Sequence, residues 1–114
     1  MASEIAADKL AELKALGGDA LISKLLGKFV ENSGKLLADA LVATAAGDAA
    51  KVDYCVHTLK GSALSLGLTD MSNILVDLNM RTKAKNLAGA EADLKKMQQM
   101  LLDVKEYKNM NFPS

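Results

Sequence analysis

Three observations predict an all-α fold, an antiparallel four-helix bundle with one or two short additional N-terminal helices. Half of the residues are apolar, yet the chain holds only two Tyr, two Phe and no Trp. Its core must therefore be built largely from Ala, Leu and Met, which lose little on entering a helix. The sole proline is Pro113, so the body of the chain lacks the strongest helix breaker. Apolar residues recur at intervals of three and four, and no alternating run of Val, Ile, Thr and Tyr bounded by turn residues offers a strand.

The elements can be separated by their caps. Residues 3–15 carry Ala6, Leu10 and Leu13 on one side and run into Leu16-Gly17-Gly18, where a glycine can take the left-handed conformation that ends a helix. Asp19 offers the next N-cap, and Leu21, Ile22, Leu25, Leu26, Phe29 and Val30 form a wide apolar stripe opposite Ser23, Lys24, Gly27, Lys28 and Glu31. Asn32-Ser33-Gly34 is expected to interrupt or bend this helix before Leu36, Leu37, Ala40, Leu41 and Ala45 resume the stripe. Asp48 caps a helix over residues 48–66, with Val52, Cys55, Val56, Leu59, Ala63 and Leu66 on one face and Gly67 as its stop. Thr69 or Asp70 is expected to cap the next helix, which bears Met71, Ile74, Leu75 and Leu78. Residues 81–86 read as its frayed, solvated end and a short connection. Leu87, Ala90, Leu94, Met97, Leu101 and Val104 then give the last helix the seam of an antiparallel bundle.

Length and composition narrow the function. A chain of 114 residues suits a single domain over 1–114 with one core. Fourteen basic residues balance fourteen acidic ones, so no long-range field draws the protein to nucleic acid or an anionic membrane, and partners are read by local shape. No apolar run exceeds the four residues from Ala40 to Ala43, which offers neither a signal peptide nor a membrane span. The single cysteine, Cys55, has no internal partner, and a free thiol suits a reducing compartment. A cytoplasmic monomer is the expectation.

His57 is the one histidine. At 100° per residue it falls roughly 150° from the centre of its helix's core stripe and faces water. Lys60 and Gly61, three and four residues on, are its surface neighbours, and Asp53 lies four residues before it. A neutral imidazole nitrogen is a nucleophile near neutral pH and can reach a phosphoryl group held on another protein. An ammonium one turn away balances the spread charge of phosphoryl oxygens. Gly61 is anomalous, because glycine inside a helix costs roughly 0.5–1 kcal/mol relative to alanine. Keeping it leaves space beside His57 for a partner's active site. Leu64, seven residues after His57, is an apolar side chain on the same exposed stripe and marks a docking position. Cys55 points away from His57, which excludes a Cys-His catalytic pair and a metal site built on the two. A lone surface histidine ordinarily does nothing, and Lys60 by itself would be a solvated charge; their conjunction with Gly61 carries the reading.

The run His57-Thr58-Leu59-Lys60-Gly61-Ser62-Ala63-Leu64-Ser65-Leu66-Gly67 closely resembles the signature of histidine phosphotransfer (HPt) domains, H-x-L-K-G-S-x-x-x-x-G. The likeness extends over roughly residues 10–104, through Leu16-Gly17-Gly18-Asp19 and Ala46-Gly47-Asp48. It implies a four-helix phosphocarrier phosphorylated on His57, with Lys60 and Gly61 in the roles argued above. Its partners would be response-regulator receiver domains and a hybrid histidine kinase; it would hold no cofactor of its own, and the receiver would supply Mg²⁺. The resemblance also implies a supporting role beside the imidazole for Asn79, where many members carry the longer Glu or Gln.

Two other classes compete with this reading. The phosphoacceptor helix pair of a sensor kinase usually has an acidic residue after its histidine and a proline nearby, whereas this chain has Thr58 and no proline before Pro113. No nucleotide-binding glycine motif accompanies it, so phosphorylation from ATP is not expected. A helical interaction module whose histidine is never phosphorylated is the remaining alternative.

Overall fold

The computed structural model describes residues 4–113. Its helices are α1 (Ala7–Ala45), α2 (Ala49–Ser65), α3 (Thr69–Lys83) and α4 (Ala90–Asn111), and there is no strand among the described residues. They form an antiparallel four-helix bundle. α1 packs on α2 and on α4, α2 packs on α3, and α3 and α4 meet only sparsely. Leu26 and Leu37 of α1, Val52, Val56 and Leu59 of α2, Leu75 and Leu78 of α3, and Leu94, Met97 and Val104 of α4 are at most 1% exposed. Each such side chain contributes about 1.5–3 kcal/mol by leaving water.

The break expected at Gly17-Gly18 is a kink. Gly18 has φ 67° and ψ −163° inside α1, a conformation that needs glycine. It divides α1 into a short arm, residues 7–17, and the long bundle helix, residues 19–45. The structure thus has one short N-terminal helix, beginning at Ala7; the expected start at residue 3 lies outside the described residues. The arm folds over one end of the bundle. The Ala6 N–H donates to the Gly67 carbonyl at 2.8 Å, and Lys9 lies against Gly67 so closely that a Cβ there would stand 2.8 Å from the Lys9 Cβ. Ile5, Leu68 and Phe112 are buried at this end, where Tyr107 and Phe112 meet edge to face at 5.6 Å.

Three local expectations are corrected. Asn32-Ser33-Gly34 does not interrupt α1, whose backbone is helical through these residues. Ser33 is 1% exposed, and a Cβ on Gly34 would meet Leu101 Cδ2 of α4 at 3.8 Å. The small residues let α4 approach, and that packing outweighs their weak helix propensity. At the start of α3 neither Thr69 nor Asp70 is the cap. Leu68 occupies that position, fully buried and without a side-chain cap bond; apolar anchoring outweighs capping preference, and Asp70 instead sits in the first turn, where the helix dipole favours a carboxylate.

Residues 81–86 are the last residues of α3 and a short connection, as expected, but the helix end is not frayed. Arg81 donates to the Ala88 carbonyl at 2.8 Å and to Asp77 at 3.2 Å, and it is paired with Asp93 of α4. Asp93 is the main cause of a guanidinium pKa raised above its usual value. Lys83 and Lys85 are exposed, as expected of the cluster.

The Gly18 conformation reverses the usual effect of alanine in a helix. Alanine would gain about 0.5–1 kcal/mol at an ordinary helical glycine, but at this φ and ψ it is strained by about 1–3 kcal/mol. Gly18→Ala should lower the urea midpoint. An unchanged or higher midpoint would show that the arm is not held at this angle.

Candidate functional site

The geometry of the site is set by what holds α2. Asp48 caps its first turn, accepting the Lys51 N–H at 3.2 Å, and the helix ends before Gly67, whose φ is +68°. Between these stops Val52, Cys55, Val56, Leu59 and Ala63 are buried. With that stripe turned inward, His57 and Gly61 are exposed, together with Tyr54 (64%) and Leu64 (54%). The spacing of three, four and three places these four residues on one outward ridge.

Lys60 is half-buried at the edge of the ridge. Among the described residues its ammonium pairs with no carboxylate, and neither does His57. A cation without an internal partner, one turn from a nucleophilic ring, is available to an incoming anion. A Cβ built on Gly61 meets nothing within 4 Å, so the space beside His57 is open as the sequence implies. Leu64 borders a shallow groove with Lys9, Gly67, Thr69 and Asn73, which joins the N-terminal arm to the same face.

Asn79, the position of possible support, makes no hydrogen bond to the imidazole. It is 1% exposed, and its amide donates to Asp53 Oδ1 at 3.0 Å and to Thr82 Oγ1 at 3.3 Å. Its bonds therefore go to α2 one turn before His57, roughly 6 Å along the helix axis, rather than to the imidazole. Sequence reading missed this cluster of Asp53, Asn79 and Thr82. The available signal was a pair of polar residues, three apart, Asn79 and Thr82, on the core stripe that Met71, Leu75 and Leu78 define in α3.

Cys55 lies on the opposite side of α2 from His57, 1% exposed. Burial, reinforced by Asp39, pushes its thiol pKa up, which keeps it protonated and unreactive. No three His, Cys, Asp or Glu side chains among the described residues converge as metal ligands.

The model of the Hpt domain family matches residues 24–107, most of the chain, including all of α2 and α3. The chain belongs to this family. Its function is histidine phosphotransfer in a phosphorelay, and the partners of such domains are response-regulator receivers. Among solved structures it is similar to histidine-containing phosphotransfer protein B (HptB) from Pseudomonas aeruginosa PAO1. That likeness covers 96% of this chain and 95% of the other, with TM-score 0.85 and 24% identity, and it establishes the bundle fold. No curated protein sequence matches the chain.

Gly61 separates stability from transfer. Alanine fits its backbone and the open space beside it, so Gly61→Ala should stabilise the fold by about 0.4–1 kcal/mol. Gly61→Gln should fold equally well and yet transfer far more slowly, because displacing the reacting centre by about 1 Å can cost two orders of magnitude. Thermal unfolding and single-turnover phosphotransfer on both variants check this. Parental rates in both would mean that close approach at Gly61 is not required.

Proposed function

We propose that His57 is the phosphorylated residue, exchanging a phosphoryl group with receiver aspartates, with Lys60 and Gly61 serving the transfer and Leu64 the docking. The observation that carries this reading is the exposed imidazole on a ridge with an unpaired ammonium and a bare helical glycine. A ring nitrogen attacks the phosphorus of a receiver's aspartyl phosphate. As the N–P bond forms, the bond from phosphorus to the carboxylate oxygen breaks, and its electron pair returns to the receiver as carboxylate. Lys60 balances charge on the equatorial oxygens. The attack requires the two proteins to approach within contact distance, which Gly61 permits. Mg²⁺ belongs to the receiver's acidic site in this reading and neutralises phosphoryl charge from that side.

The chain acts as a carrier without kinase activity of its own. It works as a single domain and a monomer in the cytoplasm, and a hybrid histidine kinase stands upstream in the relay. The absence of a nucleotide-binding glycine motif, the single core and the free buried thiol support these points. Among the described residues no helix is long and apolar enough to cross a membrane.

His57→Gln should keep the helical circular dichroism of the parent and accept no acid-labile, base-stable phosphate from a phosphorylated receiver; undiminished labelling would refute the assignment. Leu64→Asp should weaken receiver binding in a titration while leaving the melting temperature within a few degrees, since the side chain is already in water. Equal affinity would remove Leu64 from the docking surface.

A further inference from the structure

We infer that the groove between α1 and the end of α4 is an anion site, which takes the diphosphate group of a soluble compound between Lys24, Lys28 and Lys108. No residue of the His57 ridge lines this groove, and the site stands independently of the phosphoacceptor assignment.

The groove has a volume of about 580 Å³ and opens to solvent. On its α1 wall Lys24 and Lys28 follow one another at one helical turn, about 6 Å along the axis, and α4 brings Lys108 across from them. Lys108 is half-buried, and its stem lies over Gly27, where a Cβ would stand 3.5 Å from Lys108 Cε. The acidic residues of the groove, Asp19 and Glu31, are separated by about 18 Å along the helix. They mark its two ends, and the cations occupy its middle.

Among the described residues none of these charges forms an ion pair. The positions four before Lys24 and four after Lys28 are Ala20 and Asn32. Each lysine therefore has the other as its neighbour at that spacing, a like-charge pair that disfavours the helix. Elsewhere the chain supplies acidic partners at helical spacing, Glu12 to Lys9 and Glu91 to Lys95. An anion seated between the three ammonium groups relieves their repulsion and is held by charge-assisted hydrogen bonds.

Ser23 lines the same wall, 4% exposed, and its Oγ makes no hydrogen bond. A helical hydroxyl ordinarily donates to the carbonyl four residues before it, as Ser72 does to Leu68 at 2.8 Å and Thr44 to Ala40 at 2.7 Å. Ser23 leaves that bond unmade, and a buried hydroxyl without a partner is unfavourable. Rotation about χ1 alone turns it to donate to an anion oxygen in the groove. Glycine inside a helix is unfavourable relative to alanine, and Gly27 keeps the floor between the lysines bare. Linked phosphoryl groups suit this site better than one tetrahedral anion, because they meet ammonium groups on both walls at once.

Inorganic pyrophosphate, added without divalent cations at physiological ionic strength, tests the site under conditions that screen diffuse surface charge. In a titration followed by backbone amide resonances, the signals of Ser23, Lys24, Gly27, Lys28 and Lys108 should shift and saturate together, and sulfate should bind more weakly. Lys28→Gln and Lys108→Gln should each weaken pyrophosphate about tenfold, the loss of one charge-assisted hydrogen bond at the low end of its range. Gly27→Leu keeps all three cations and suits a helix, yet it fills the floor and should abolish saturable binding. His57→Gln should bind as the parent does.

Parental affinity in Gly27→Leu, or shifts that never saturate and are equal for sulfate, would mean adventitious counterions only and overturn the site. Saturation centred on Lys60 and Gly61 would assign the anion to the His57 ridge and overturn it equally. If Gly27→Leu does not fold, the two lysine variants decide, since they leave the core untouched: unchanged affinity in both rejects the groove. Vesicles of phosphatidylglycerol distinguish a lipid headgroup from a soluble diphosphate. They should leave the pyrophosphate shifts in place, and displacement by them would refute the soluble ligand.

Discussion

The burial of Val52, Cys55, Val56, Leu59 and Ala63 between α1 and α3 is the contact on which the rest depends. A helix has one azimuth per residue, so fixing five inward positions fixes every outward one. His57, Gly61 and Leu64 need no interactions of their own to face outward; the core turns them there. This suits the phosphoacceptor role proposed for His57, in which the reactive group must be in water while the helix beneath it remains rigid. It also explains why a buried cysteine and an exposed histidine can lie two residues apart without chemical communication.

Much of this was legible in the sequence because the signals are long or steric. Stripes at a spacing of three and four extend over several turns in every helix and resist local error. Gly18 and Asp48 mark boundaries for reasons intrinsic to the residue, a forbidden φ in one case and a side-chain acceptor in the other. His57 could be placed on the surface by angle alone. The misreadings share a cause: each depended on a neighbour remote in the chain. Ser33 and Gly34 look like a break until α4 is laid against them. Arg81 looks solvated until Asp93 comes into reach. The tie between Asn79 and Asp53 was likewise not legible, because that bond spans 26 residues.

The two polar features between helices differ in kind. The Arg81 pairs lie at the surface, with the guanidinium 28% exposed, where such pairs are typically worth about 0–1 kcal/mol each. The Asp53, Asn79 and Thr82 cluster lies deeper, and its worth to folding is limited by the carboxylate it desolvates and by the unpartnered Asn79 oxygen. Neither can be the main source of cohesion, which falls to apolar burial. Both fix the relative placement of helices that apolar contacts alone would leave free to slide.

Arg81 has a further bearing on how the bundle moves. α3 and α4 share little packing, and this one side chain ties the end of α3 to the following loop and to the first turns of α4. Local opening takes the route with the fewest buried contacts, and here that route is the seam between α3 and α4. Backbone amides along this seam would exchange with solvent ahead of those in the α1–α2 interface.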